Sequence, residues 1–526
     1  MNNILSFCTN CSNSSYRWSI INSLNTIYLQ VNSSNPRFMQ VTIKRTDITF
    51  YPDPSRVIAR FLYTGDERSL NLVQKVLSLS EEETRASLSM VLRDFSKRHR
   101  NISKIFESHF NRIKFLFEHL KVDPETLDLN RKVLIGSYFT MEYSIESAAF
   151  FNPSIVEHPD QTEVGPNEQR IILSFRATGE GHISSLVFRT GVLDKNNVLT
   201  LEEAGQMLDE AEVIKRHVYE KKKFMDKLDE MHNFNNVVPP ALVLDDLGDT
   251  FTYGELKRCV ESARSKLELS TAKELLLSEI MWLANSHYEI EFSLDTAISE
   301  RVIFPVSETE RNGIEDARFV KFTEDDGNIT YYATYTAFDG MTILPKLLTT
   351  KDFYHFTVLP VHGEIAHNKG MALFPRKIKG KYVMLCRIDG VNNYISFSDN
   401  IGIWRNASLL QEPKYPWEFI QIGNAGSPVE TPEGWLVITH AVGPMREYVL
   451  SAALYDLDDP TREIGRLKNP LLIPNKEERE GYVPNVVYSC GSIIHNEELI
   501  IPYAMSDYAS TYAIINLKEL LEELKK

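Results

Sequence analysis

One pattern recurs along this chain and limits what it can become. Stretches rich in Val, Ile, Tyr and Thr end in polar tips at RIILSFRATG (170–179), YYATYTAFDG (331–340), KYVMLCRIDG (381–390), GWLVITHAVG (434–443) and ELIIPYAMSD (498–507). Each is followed by a second strand-like run, such as YISFSD or YVLSAALYDL. Alternating apolar and polar residues bounded by turn formers mark half-buried strands and hairpins. After the first copy, successive starts lie about fifty to sixty-five residues apart, which suits multi-stranded blades better than a sandwich with a strand every ten residues. The expected fold is mainly β: a five-bladed β-propeller over 137–515, with a helical N-terminal extension (1–130) and a helical insertion (200–285) after the first blade.

The extension turns helical after Asp66, where Ser80-x-x-Glu83 is a capping box and Leu88, Val91, Leu92 and Phe95 follow at helical spacing. In the insertion, Thr200-x-x-Glu203 reads as a second cap for a helix reaching about Met231, and an amphipathic stretch covers Tyr253 to Ala284. A short helix is expected over 516–526.

The chain has 526 residues, 43% hydrophobic and 25% charged, which fits a folded protein of more than one core. Its 57 basic and 72 acidic residues give a net charge of -15, which repels phosphate backbones and anionic lipid. Nucleic acid and membrane surfaces are therefore not expected partners. No run is apolar enough for a membrane helix, and MNNILSFCTNCSNSSYRW lacks a secretory pattern, so a cytoplasmic location is expected. Five cysteines suggest no disulfide framework, and the lone pair Cys8 and Cys11 falls short of the four ligands a structural zinc needs. Cys259, Cys386 and Cys490 read as packed thiols.

In a propeller the inner strand tips of different blades meet in one funnel. These tips supply Arg176, Glu180 and His182; Asp339; Arg387 and Asp389; His440; and Ser506 with Asp507. The run Glu315-Asp316-Ala317-Arg318 adds a carboxylate beside a guanidinium, a usable general acid. Carboxylates, guanidinium groups and nearby aromatics suit a sugar, and the cationic subset suits a small anion. GxSxG, Walker and HExxH motifs do not occur, so serine, nucleotide and zinc-hydrolase chemistry are not signalled.

Several motifs taken together resemble glycoside hydrolase family 130, the inverting β-mannoside phosphorylases and β-1,2-mannosidases. They are FNPSI (151–155), LSFRATG (173–179), GIEDARFVKF (313–322), YYATYTAFDG, NKGMALFPRKIKGKYVMLCR (368–387), GSPVETPEGWLVITH (426–440), SAALYDLDDP (451–460) and GYVPNVVYSCG (481–491). The resemblance implies a five-bladed propeller, with the N-terminal extension and the helical insertion outside the common core. It implies Asp316 as general acid, delivering its proton through a hydroxyl of the bound mannose. Asn152, Arg176 and Asp507 match positions that hold the mannosyl unit, and Lys369 and Arg387 match the cationic positions for inorganic phosphate. One departure stands out: Glu430 occupies a turn where many of the phosphorylases carry Lys. A carboxylate there would repel phosphate and could serve a hydrolase as base. Arg446 and His440 are the groups available to compensate.

The expected activity is phosphorolysis of β-mannosidic, β-1,2-linked manno-oligosaccharides to mannose 1-phosphate, with phosphate as co-substrate and neither cofactor nor metal. The alternatives are a β-1,2-mannosidase using Glu430 and a non-catalytic carbohydrate-binding propeller. Glu180, His182, Asp339 and His440 are further expected sugar contacts. The helical additions are plausible interface material for a homo-oligomer.

Overall fold

The computed structural model describes residues 41–526 apart from 206, 215–217, 232–238, 267–270 and 342; Cys8 and Cys11 lie outside the described residues. Each of the five recurring stretches forms a central strand of an antiparallel sheet. Gln169–Thr178 lies between Ala149–Glu157 and Ser184–Leu193. Ile329–Phe338 lies between Gly313–Thr323 and Ile343–Thr350, and His355–Pro360 and Tyr288–Glu291 continue that sheet. Tyr382–Cys386 lies between Ala372–Leu373 and Asn393–Ser398. Gly434–Val442 pairs with Tyr448–Tyr455 on one side and with Gln421–Asn424 and Val429–Thr431 on the other. Glu498–Met505 pairs with Ala509–Asn516, and the early strand Ile43–Arg45 completes this fifth sheet along Ala509–Asn516. That addition covers an edge that would otherwise offer unpaired backbone groups.

Neighbouring sheets are tied in sequence and the ties close on themselves. The Arg176 guanidinium bonds Glu315 at 2.7 Å from the first sheet to the second. Thr334 Oγ1 donates to Met371 O at 2.5 Å, Ile422 N to Val391 O at 2.8 Å, and Tyr448 N to Asn485 O at 2.9 Å. Cys490 N then donates to Pro153 O at 2.8 Å, returning from the fifth sheet to the first. Apolar side chains fill the spaces between sheets, as where Leu436, Leu450 and Leu454 meet Leu499, Ile501 and Ile515. Burying such side chains supplies about 1.5–3 kcal/mol each.

Helices Asp66–Leu77, Glu81–Phe95, Ile102–Arg112, Leu116–Leu120 and Leu129–Tyr138 gather around Val73, Phe106, Phe110, Phe117 and Leu134. Ser80 caps its helix by accepting from Glu83 N, and the Glu83 carboxylate accepts from Ser80 N at 2.8 Å. A second helical group, Lys221–Met231, Ala241–Leu244, Tyr253–Lys266 and Thr271–Ser286, packs around Phe224, Leu228, Phe251, Leu256 and Ile280. Its start differs from the sequence expectation. Thr200 lies in the strand Leu199–Leu201, paired with Gly191 to Leu193, and Glu202 N donates to Thr190 O, so no helix begins there. A partner strand overrides the local capping signal. The last helix, Leu517–Leu524, buries Leu520, Leu521 and Leu524 against the fourth and fifth sheets. Among the described residues no helix is long and apolar enough to cross a membrane, and no group of His, Cys, Asp or Glu is arranged to hold a metal ion. Cys386 and Cys490 are buried free thiols, and Cys259 is half-buried.

Candidate active site

Two strand irregularities create the centre of the site. The pairing register breaks between Phe151 and Ser154 in the first sheet and between Glu315 and Arg318 in the second. Asn152 (φ 50°) and Asp316 (φ 54°) occupy these bulges in the left-handed region. Bulges re-aim side chains, and Asn and Asp are the non-glycine residues that tolerate this conformation best. The two side chains meet: Asn152 Nδ2 donates to Asp316 Oδ1 at 2.7 Å. Ser154 Oγ accepts from Phe319 N at 3.1 Å beside them and fixes the two bulges to each other.

A charged cluster surrounds this pair. Arg176 bonds Glu315 Oε1 at 2.7 Å and Asp316 Oδ1 at 3.4 Å, while its guanidinium rests 5.0 Å from the Phe151 ring centre. Lys369 Nζ donates to Glu315 Oε2 at 2.5 Å. Glu315 is thus a buried counter-ion to two cations, and Asp316 stays open to a ligand. Burial alone would raise the Asp316 carboxyl. Arg176, Arg318, Lys369 and the Asn152 bond outweigh it and hold Asp316 below the usual carboxylate range. Asp507 behaves oppositely: burial, followed by the charge on Asp316, pushes its carboxyl up to about 6 against the opposing pull of Arg176 and Arg446. Neighbouring carboxylates pushed apart in this way are a common mark of functional sites.

A second cationic group adjoins the first. Arg318 Nη2 donates to Tyr488 Oη at 2.7 Å, which leaves the Tyr488 hydroxyl proton free for another acceptor. Arg387 Nη2 donates to Gly390 O at 2.6 Å and Gln421 Oε1 at 3.2 Å, and its Nη1 lies 3.3 Å from His440 Nε2. His440 Nδ1 lies 2.8 Å from Asn424 O, which can only accept, so Nδ1 carries the proton and Nε2 accepts from Arg387. Burial, with Arg387 and Arg318 close by, keeps the imidazole neutral by driving its proton affinity well down. Gly423 makes the packing feasible: a Cβ there would fall 2.5 Å from Arg387 Cδ and 2.7 Å from His440 Cε1. The Nε atoms of both Arg318 and Arg387 are buried without a hydrogen-bond partner. Neither guanidinium has a carboxylate within salt-bridge distance among the described residues. Arg318, which is buried, and Arg387, which is partly buried and held below the usual guanidinium range by burial and then by the Arg318 charge, are flanked by a neutral His and a Tyr hydroxyl, an arrangement that suits an anion.

Of the residues singled out in the sequence, Asn152, Arg176, Asp316, Lys369, Arg387, His440 and Asp507 fall in or beside these two groups. Glu180 and His182 lie on the exposed turn between two strands of the first sheet; the Glu180 carbonyl accepts from Tyr143 Oη. Asp339 caps its own turn, accepting from Met341 N at 2.8 Å, and Asp389 likewise binds Val391 N, Asn392 and Tyr394. Glu430 is elsewhere. It pairs with Trp435 at the end of Gly434–Val442 remote from His440, and both its oxygens hold Arg376, at 2.8 and 2.7 Å. Five residue steps along the strand separate Trp435 from His440, roughly 17 Å. Tyr488, on the GYVPNVVYSCG motif, and Tyr448, stacked 6.3 Å from His440, were not anticipated from sequence. Arg318, the guanidinium next to Asp316 in the sequence, helps to hold that carboxyl down, while its hydrogen bond goes to Tyr488.

With this geometry established, comparison with known proteins identifies the class. Residues 273–526 match the model of glycoside hydrolase family 130, described as β-1,4-mannooligosaccharide phosphorylase. A 1,2-β-oligomannan phosphorylase of Thermoanaerobacter sp. (strain X514) is 37% identical over 221 residues, which cover 41% of this chain and 72% of that protein. A β-1,2-mannobiose phosphorylase of Listeria innocua is 30% identical over 273 residues, 50% of this chain and 73% of that protein. A solved structure of β-1,2-mannobiose phosphorylase from Listeria innocua aligns with a TM-score of 0.43 and 23% identity over 73% of this chain and 93% of that one. The chain belongs to glycoside hydrolase family 130. It is accordingly an enzyme of the glycoside phosphorylase and glycosidase class.

Proposed function

We propose that this chain is an inverting phosphorylase that cleaves the terminal mannosyl unit of β-1,2-linked manno-oligosaccharides with inorganic phosphate, releasing α-mannose 1-phosphate. The five sheets are read as blades of a propeller spanning 137–515, with the two helical groups as additions outside it. The observation that carries the reading is the anion receptor formed by Arg318, Arg387 and Tyr488 next to Asp316. Names of the related proteins support the substrate.

In this reading Asn152, Arg176 and Asp507 hold the hydroxyls of the mannosyl unit. Phosphate sits against Arg318 and Arg387, with Lys369 at its edge, and a phosphate oxygen attacks C1 from the face opposite the leaving group. The C1–O bond to the rest of the chain breaks, and the departing oxygen takes a proton that originates on Asp316 and passes through a sugar hydroxyl. Asp316 is held ionised by the surrounding cations in the free enzyme. Negative charge arriving beside Arg318 and Arg387 cancels part of that field and favours the protonated acid. Water activation by Glu430 has little support, because its carboxylate is engaged by Arg376 away from the cluster. A sugar phosphate product is retained by the cell that makes it, which favours a cytoplasmic location.

The test is Asp316→Asn. The enzyme reading predicts a fall in kcat of about 10²–10⁴ with oligosaccharide affinity largely kept. A variant that turns over at the wild-type rate would sink the assignment, and a wild-type protein that binds mannosides without turnover would return the binding-module reading.

A further inference from the structure

An exposed aromatic pair stands at the mouth of the site. The turn 179–183 places Gly181 (φ 69°) and His182 (φ 58°) in the left-handed region and lifts the imidazole outward. Its ring lies 5.4 Å from that of Tyr482, which is 67% exposed. Tyr482 is tied directly to the site: Val483 N donates to Ser506 O at 3.0 Å, and the next residue is Asp507. Arg446, exposed and left-handed (φ 56°), is close enough to Asp507 to affect its ionisation and has neither hydrogen bond nor ion pair among the described residues. Rings that expose a face suit a sugar ring, and a guanidinium without a fixed partner suits its hydroxyls.

Continuity with the buried pocket identifies the occupant. Asn152 is buried, and the Arg176 and Asp316 side chains are only 20% and 15% exposed, so the mannosyl unit they hold in the proposed reaction is the enclosed end of the substrate. The remainder of a substrate must leave past the rim. We infer that Tyr482 and His182 seat the sugars on the leaving side of the cleaved bond, beyond the first, so that the enzyme favours oligosaccharides longer than a disaccharide. This rests on the phosphorylase reading and extends it to chain length.

The experiment compares initial rates on β-1,2-linked mannobiose, mannotriose and mannotetraose in phosphate for wild type, Tyr482→Ala and Tyr482→Phe. The expected result is a loss of about tenfold in kcat/KM for Tyr482→Ala on the two longer substrates, carried by KM, with the disaccharide little changed. Tyr482→Phe keeps the aromatic face and stays near wild type. Equal loss on all three lengths, or none on any, overturns the inference. If wild type releases no mannose 1-phosphate from any of them, it is the phosphorylase reading that fails. The rim is then judged by calorimetry with mannotetraose: weaker binding by Tyr482→Ala sustains the seat, and unchanged binding removes it.

Discussion

Arg387→Gln separates phosphate binding from sugar binding. In the free enzyme Arg387 spends Nη2 on Gly390 O and Gln421, rests Nη1 on the neutral His440, and keeps Nε buried without a partner. An incoming anion can therefore draw on Nε and Nη1. A hydrogen bond to a charged group contributes about 1.5–3 kcal/mol, so losing one predicts a KM for phosphate raised roughly ten- to hundred-fold. Gln retains a donor for Gly390 O and much of the volume, which limits the structural damage. Initial rates measured against phosphate at saturating mannoside, and against mannoside at saturating phosphate, read the two KM values separately. An increase confined to phosphate is expected, with arsenate as co-substrate affected in parallel. A rise in the mannoside KM with phosphate unaffected would refute the placement of the anion against Arg387.

Substitutions at two further places test the electrostatics. The Asp507 carboxyl is pushed up from 3.8 to about 6, so between these values the folded chain holds a proton that the unfolded chain has released, and stability falls as pH rises through that window. The cost above it is up to about 3 kcal/mol; Asp507→Asn should raise Tm at pH 7.5 and flatten its fall between about pH 4 and 6 while lowering kcat/KM, and an unchanged pH dependence would contradict this. Lys346 forms a fully buried ion pair with Glu310 at 2.8 Å, and Glu310 also accepts from Tyr335 at 2.6 Å and Tyr288 at 2.8 Å. Lys346→Met leaves the carboxylate buried and should cost about 3 kcal/mol in urea unfolding, partly recovered by adding Glu310→Gln; a loss under about 1 kcal/mol would mean the hydroxyls alone suffice.

The strand framework was legible because its signals are local. Each recurring stretch carries its own alternation and its own turn, and each is found at the centre of an antiparallel sheet. Thr200 failed for the complementary reason: its capping pattern is also local, but Leu199 and Leu201 have a strand to pair with, which no short window displays. The site was legible only in pieces. Asn152 and Asp316 meet because two bulges in different sheets point them together, and nothing near either residue encodes the other's bulge. Glu430 shows the converse, since proximity to a motif says little about which end of a strand a residue occupies. Tyr488 was overlooked because a tyrosine in a strand reads as packing until Arg318 is seen to bond its hydroxyl.

In the proposed reaction phosphate, not water, takes the mannosyl unit. Purified protein is incubated with β-1,2-mannobiose with and without inorganic phosphate, and the products are resolved by proton NMR. Phosphorolysis predicts α-mannose 1-phosphate and mannose in equal amounts with phosphate present, and no cleavage without it. Free mannose released at the same rate in both mixtures would contradict it and establish a hydrolase.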